Sequence, residues 1–138
     1  MDQPNYRVET QTPPLEDFLR LRKITGLTVY SEEAAQEGLK GTIAAATVYY
    51  GEQVVGIGRL VGDGGCVFVI CDIAVDPVHQ GNGLGKAIMA SLMDYVQKNL
   101  KSKAYVTIIA DLPADKLYEQ FGFEATAPDS IGMAYRMP

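Results

Sequence analysis

The sequence predicts a single α/β domain over residues 1–138, with its elements in the order βααβββαβαβ. Three observations carry this. Cys66 to Val75 is an almost continuous apolar run, the pattern of a strand buried on both faces. A glycine-rich stretch from Gln80 to Gly85 then opens a segment whose apolar residues, Ala87, Ile88, Leu92, Tyr95 and Val96, recur at helical spacing. Ahead of the run stand two helical patterns and a hairpin, punctuated by Gly and Pro, with no repeat or linker to divide the chain.

Tyr6 to Thr10 reads as a short first strand. Pro13-Pro14 opens a helix in which Leu15, Phe18, Leu19, Leu21, Arg22 and Ile24 fall at helical spacing, ending at Gly26. Ser31, followed by Glu32 and Glu33, has the form of an N-cap with acidic residues in the first turn, for a second helix that stops near Gly38 to Gly41. Thr47 to Tyr50, a turn at Gly51-Glu52, and Val54 to Val61 form a hairpin, and Gly62 to Gly65 turns the chain into the apolar run. The long helix ends where Lys98, Lys101 and Lys103 cluster. Tyr105 to Ala110 is then β-branched and apolar, Pro113 to Phe121 is a short helix stopped by Gly122, and Met133 to Met137 closes the sheet.

Composition narrows the function. At 47% hydrophobic and 21% charged residues the chain is an ordinary globular one. A formal charge of -5, with no run of Lys or Arg, offers no footprint for nucleic acid or an anionic membrane. Met1 to Thr12 is polar and no apolar stretch is long enough to span a bilayer, so a cytoplasmic protein is expected, as monomer or homodimer. Cys66 and Cys71 fall on opposite faces of one strand, about 16 Å apart, which excludes a disulfide between them. With one histidine, His79, and no Cys-x-x-Cys or His-x-x-x-His spacing, no metal is expected.

The segment Asp76 to Lys86 joins the buried strand to the long helix, and its glycines let backbone amides converge at a helix N-terminus. That is chemistry for an anion such as a pyrophosphate, although the same glycines also suit a tight turn. A Walker A loop would need Gly at position 80 and Ser or Thr at 87, where Gln80 and Ala87 stand. A Rossmann fingerprint fails at Lys86 in one frame and at Ile88 in the other.

What fits is Gln80-x-x-Gly83-x-Gly85, preceded by Ile73-Ala74-Val75-Asp76-Pro77 and followed by Lys86-Ala87-Ile88-Met89. This closely resembles the acetyl-CoA signature of the GNAT superfamily of N-acetyltransferases. A second stretch, Ala114 to Phe123, resembles the other hallmark of that family, and the resemblance extends over about residues 43 to 124. It implies a mixed, mostly antiparallel sheet of six or seven strands with helices on both faces, splayed at the strand ending near Val75. It implies acetyl-CoA as co-substrate, with the amides of Gln80, Gly81, Asn82, Gly83, Leu84, Gly85 and Lys86 on the pyrophosphate and the main chain of Ile73, Ala74 and Val75 along the pantetheine arm.

The same resemblance makes Tyr118 the acid that protonates the departing thiolate, against the plainer reading of a tyrosine packing a short helix. Asp72, an acidic residue inside an apolar strand, has two readings: a carboxylate that orients or deprotonates the acceptor amine, or a structural ion pair with Arg59. Asp111 stands where the family frequently has an asparagine contacting pantetheine, and a carboxylate cannot donate that amide hydrogen bond. His79, on the solvent side of the turn, is given a structural role. The acceptor is expected to be a small cationic amine, drawn by Asp72, Asp111 and the acidic chain; a protein lysine or N-terminus, and a non-catalytic CoA sensor, are the alternatives.

Overall fold

The structure, a computed structural model, describes residues 5–138. Two compact units divide the chain, one reaching to Ile108 and the other running from Ile109 to Pro138.

The first unit is a five-stranded sheet whose strands lie side by side in chain order. Its elements are β1 (Tyr6–Glu9), α1 (Leu15–Ile24), α2 (Glu32–Lys40), β2 (Ala44–Tyr50), β3 (Gln53–Gly62), β4 (Val67–Val75), a 3-10 turn (Pro77–His79), α3 (Leu84–Asn99) and β5 (Tyr105–Ile108). Strands β1 to β4 pair antiparallel, and β5 joins β4 in parallel after the α3 crossover. Local signals behave as the sequence expects. Ser31 Oγ accepts from the Ala34 amide at 3.1 Å, capping α2, and Gly51 turns the β2–β3 hairpin at φ 63°.

Helices cover both faces, and β3 shows how. Cβ atoms built at Gly56 and Gly58 would meet Ile88 of α3, whereas Ile57 belongs to the core of Phe18 and Leu21 on α1 and the Arg59 guanidinium lies over the Phe18 ring. Alternate residues of one strand therefore serve opposite layers. The glycines on the α3 side let that helix approach the sheet closely.

The second unit contains one short helix, α4 (Asp115–Glu119), inside the longer Pro113 to Phe121 segment expected. The expected final strand is corrected here: Met133 to Met137 carries no strand, and Met133, Tyr135 and Met137 are exposed. The alternation of Met133, Tyr135 and Met137 suits a strand, but a strand also needs a neighbour for its amides and carbonyls, and no pairing is present for this segment. The described strands number five rather than six or seven.

Candidate active site

The turn after β4 is held by its own side chains. Asp76 Oδ1 accepts from the Val78 amide at 3.0 Å, Gln80 Nε2 donates to the Val75 carbonyl at 3.0 Å, and Asn82 Nδ2 donates to the His79 carbonyl at 2.9 Å. Gly81 and Gly83 then take left-handed φ of 84° and 76°, and a Cβ at Gly81 would meet nothing within 4 Å. Gly83 is the N-cap of α3 and has no side chain to offer its amides. Ala87 is the first residue of α3 whose amide finds a helical acceptor, the Gly83 carbonyl at 3.0 Å, so those of Leu84, Gly85 and Lys86, at a helix N-terminus, have no acceptor among the described residues. The helix N-terminus, uncapped by any side chain, fits an anion.

His79 does not face solvent as expected. Its Nδ1 is 2.8 Å from Tyr6 Oη, and its ring packs against those of Tyr6 and Tyr50 at centroid distances of 5.6 and 4.9 Å. Asn82 Nδ2 also donates to Tyr6 Oη at 3.3 Å, so β1 is tied to the turn.

Strand β4 outruns its neighbour. Only Val67 to Ile70 pair with β5, and Cys71 to Val75 continue with no strand paired on that edge among the described residues, consistent with the splay near Val75 that the family resemblance implies. The Asp76 amide donates to the Val55 carbonyl on β3 at 2.8 Å. By the alternation of an antiparallel ladder, Ala74 then gives its main chain to Ile57 and Val75 turns its amide toward the free edge.

Between these halves lies a bulge. Ile57 pairs with Ala74 but Arg59 pairs with Cys71, so β4 carries one extra residue, and Asp72 sits there at φ 61°. The extra residue reverses the phase of the strand. Ile70 lies opposite Leu60, on the α3 side, and Ile73 meets the position of a Gly58 Cβ on that same side, whereas Ala74 joins the α1 core. Asp72 is thereby turned away from the apolar α3 layer and toward α1.

There it meets two arginines. Arg22 Nη1 donates to Asp72 Oδ1, and Arg59 Nε donates to Asp72 Oδ2 at 2.7 Å. The three side chains are 7%, 9% and 5% exposed for Arg22, Arg59 and Asp72. Of the two readings open for Asp72, the structure shows the ion pair with Arg59, with Arg22 as a second partner. Arg22 Nε also holds the Thr28 carbonyl at 2.8 Å, and Arg59 Nη1 holds the Gly38 carbonyl and Thr42 Oγ1 at 3.0 and 2.9 Å. The cluster thus ties α1, α2 and their connection to the bulge. Cys71 Sγ donates to Asp72 Oδ2 at 3.3 Å, and burial, followed by the Asp72 charge, pushes its thiol up to about 12, so it stays neutral.

In the second unit Tyr118 of α4 is buried and Asp111 is exposed, its carbonyl accepting from the Ala114 amide at 2.9 Å. Burial, and then the Asp111 charge, push the Tyr118 phenol above its ordinary value, so it carries its proton at neutral pH. Among the described residues no group of His, Cys, Asp or Glu is placed to hold a metal, and no helix is long and apolar enough to cross a membrane.

The profile of the acetyltransferase (GNAT) domain matches residues 20–133. The chain belongs to the GNAT acetyltransferase family. A solved structure from meticillin-resistant Staphylococcus aureus, designated a protein of unknown function and probable acetyltransferase, superposes with a TM-score of 0.90 at 42% identity, covering 96% of this chain and 99% of that one. A GNAT family acetyltransferase of Streptococcus pneumoniae follows at 26% identity and a TM-score of 0.77, over 96% and 98% of the two chains. A Glycine max protein named a histone acetyltransferase is 32% identical over 59% of this chain. The match spans 35% of that relative's length, so this chain covers about a third of it. Within this GNAT fold, sequence reasoning placed Arg22 among the mixed charges of the first two helices, as a candidate wall of the acceptor site, but missed it as a partner of Asp72, and it missed the Tyr6–His79 pair. Arg22 stands four residues from Phe18, on the helix face that is buried, and a cation at such a position signals a buried acidic partner.

Proposed function

We propose that the protein is an acetyl-CoA-dependent N-acetyltransferase that passes the acetyl group directly to a primary amine of a small molecule in a ternary complex. One observation carries this reading: in a chain of the GNAT family, the amides of Leu84, Gly85 and Lys86 have no acceptor among the described residues and follow the left-handed Gly81 and Gly83. They would hold the pyrophosphate, with Gln80 and Asn82 shaping the turn and the Val75 amide available to the pantetheine arm. When bound, acetyl-CoA supplies the thioester. Attack of the amine nitrogen on its carbonyl carbon breaks the carbon–sulfur bond, and the Tyr118 hydroxyl gives its proton to the leaving sulfur.

Asp72 is not assigned the base. Both its oxygens accept from guanidinium groups, so its part is to hold the wall of α1 and α2 against β4, and water takes the amine's proton. With Asp72 so engaged, the case for a cationic acceptor loses its main support.

Acetyl-CoA should raise the melting temperature by mass action, and Gly83→Glu should abolish the rise by placing bulk and negative charge at the turn. Thiol release above background with at least one amine completes the test. Stabilisation by ATP or NAD and not by acetyl-CoA would overturn the reading, and stabilisation without thiol release would leave a CoA-sensing module instead. A protein acceptor is the second reading, favoured by the name of the Glycine max relative, and peptides in the same screen decide it.

A further inference from the structure

The Arg22–Asp72–Arg59 cluster holds two cations against one carboxylate, and Cys71, a neutral thiol, does not supply the missing negative charge. A net positive charge buried to more than nine-tenths is costly without a counter-ion. The arginines are not saturated either. Nε and Nη1 of each are engaged, but Nη2 of Arg22 and Nη2 of Arg59 have no hydrogen-bond partner among the described residues. Among the described residues no fully occluded side-chain nitrogen or oxygen lacks a partner, so an Nη2 group without one keeps some exposure. The two guanidinium groups share one carboxylate and lie over one Phe18 ring, and the half-exposed Tyr30 ring covers Arg22 at 4.4 Å. This cluster stands at the bulge of β4, where the edge that β5 leaves free begins.

We infer that Arg22 and Arg59 form an anion subsite of the acceptor site, so that the preferred amine carries an anionic group, a carboxylate or a phosphate, held by the two free Nη2 groups. Guanidinium suits both, because its planar fork meets paired oxygens and its charge persists at every working pH. The proposal rests on the acetyl-transfer reading above and deepens it: the α1–α2 wall selects the acceptor by charge. It also reverses the cationic preference that a free Asp72 would give.

The test uses matched pairs that differ only in the anion: methionine against methioninamide, and glucosamine 6-phosphate against glucosamine. Thiol release from acetyl-CoA should show kcat/KM higher by on the order of tenfold or more for an anionic member, as expected for a charge-assisted hydrogen bond. The amide's amine is the less basic of its pair, so a preference for the acid cannot come from more free amine. Which pair shows the larger ratio distinguishes carboxylate from phosphate. Arg59→Gln, which leaves Asp72 paired with Arg22, should cut that ratio toward one. Equal or inverted ratios in both pairs would overturn the proposal. Calorimetric titration of the wild-type protein with N-acetylmethionine and with N-acetylmethioninamide gives a readout independent of turnover and of variant folding. Tighter binding of the acid supports the subsite, and equal binding of the two, with equal ratios for the sugar pair, removes it. Absence of thiol release with every amine would defeat the transferase reading, and the titration would then decide the anion site alone.

Discussion

Ile88 of α3 lies so close over Gly58 of β3 that a Cβ at position 58 would come within 2.5 Å of Ile88 Cγ2 and 2.9 Å of Ile73 Cδ1. Ile73 Cδ1, the end of its side chain, can turn aside, but Ile88 Cγ2 is borne on the β-carbon of a helical residue and yields only if the helix moves. Gly58→Ala should therefore destabilise the protein by about 1–3 kcal/mol in urea denaturation, the cost of overpacking a core. Gly56→Ala, whose Cβ would stand 3.3 Å from Ile88 Cδ1, should cost less. Equal stability of Gly58→Ala and wild type would mean that α3 is seated farther from the sheet.

The Tyr118 phenol must hold its proton to act as an acid, and both burial and the Asp111 charge favour the protonated form. Tyr118→Phe should lower kcat by roughly 10²- to 10⁴-fold with acetyl-CoA affinity little changed, the loss typical of a general acid. The protonated phenol is the active form and its pKa is raised, so any alkaline fall in rate due to Tyr118 should lie above its ordinary value. Asp111→Asn removes one of the two causes and should move that limb to lower pH, as a spectrophotometric phenol titration would show. An unmoved limb would mean that another group sets it.

At the β3–β4 turn Asp63 Oδ1 accepts from three amides, those of Gly65, Cys66 and Val67, at 2.8, 2.8 and 3.1 Å. These bonds favour the ionised carboxyl and lower its pKa, the Gly65 bond most. A carboxyl depressed in the folded state adds stability above its unfolded pKa and loses it as pH falls through the folded one. Asp63→Ala should thus lower the denaturation midpoint at pH 7 and flatten its decline below about pH 4, near the ordinary aspartate value. A variant that kept the wild-type acid slope would show that Asp63 is not the group being titrated.

Much of the first unit was legible because its signals are local. The apolar run ending at Val75, the Ser31 cap, the Gly51 turn and the Gly81–Gly83 stretch each work through a few neighbouring residues. The partners of Asp72 were half legible. Arg59 stands on the adjacent strand, whereas Arg22 is fifty residues away, and only the packing of α1 brings it in. The bulge left no mark in the sequence, since Asp72 is flanked by residues that continue the strand and Asp tolerates a left-handed φ. Met133 to Met137 failed in the opposite direction: the alternation is present, but strand formation depends on a neighbour that local pattern does not supply.

In β4 the extra residue is an insertion that the strand absorbs. Without Asp72 the alternation would be plain, with Ile73 still opposite Gly58 beneath α3 and Ala74 still opposite Ile57 in the α1 core. The main chain would keep its phase too, the Ala74 amide turned to Ile57 and that of Val75 to the free edge. A chain one residue shorter here would keep the glycine signature and its relation to the strand and would lose the carboxylate that both arginines share, so position 72 is an added place that carries an acid without disturbing the strand around it.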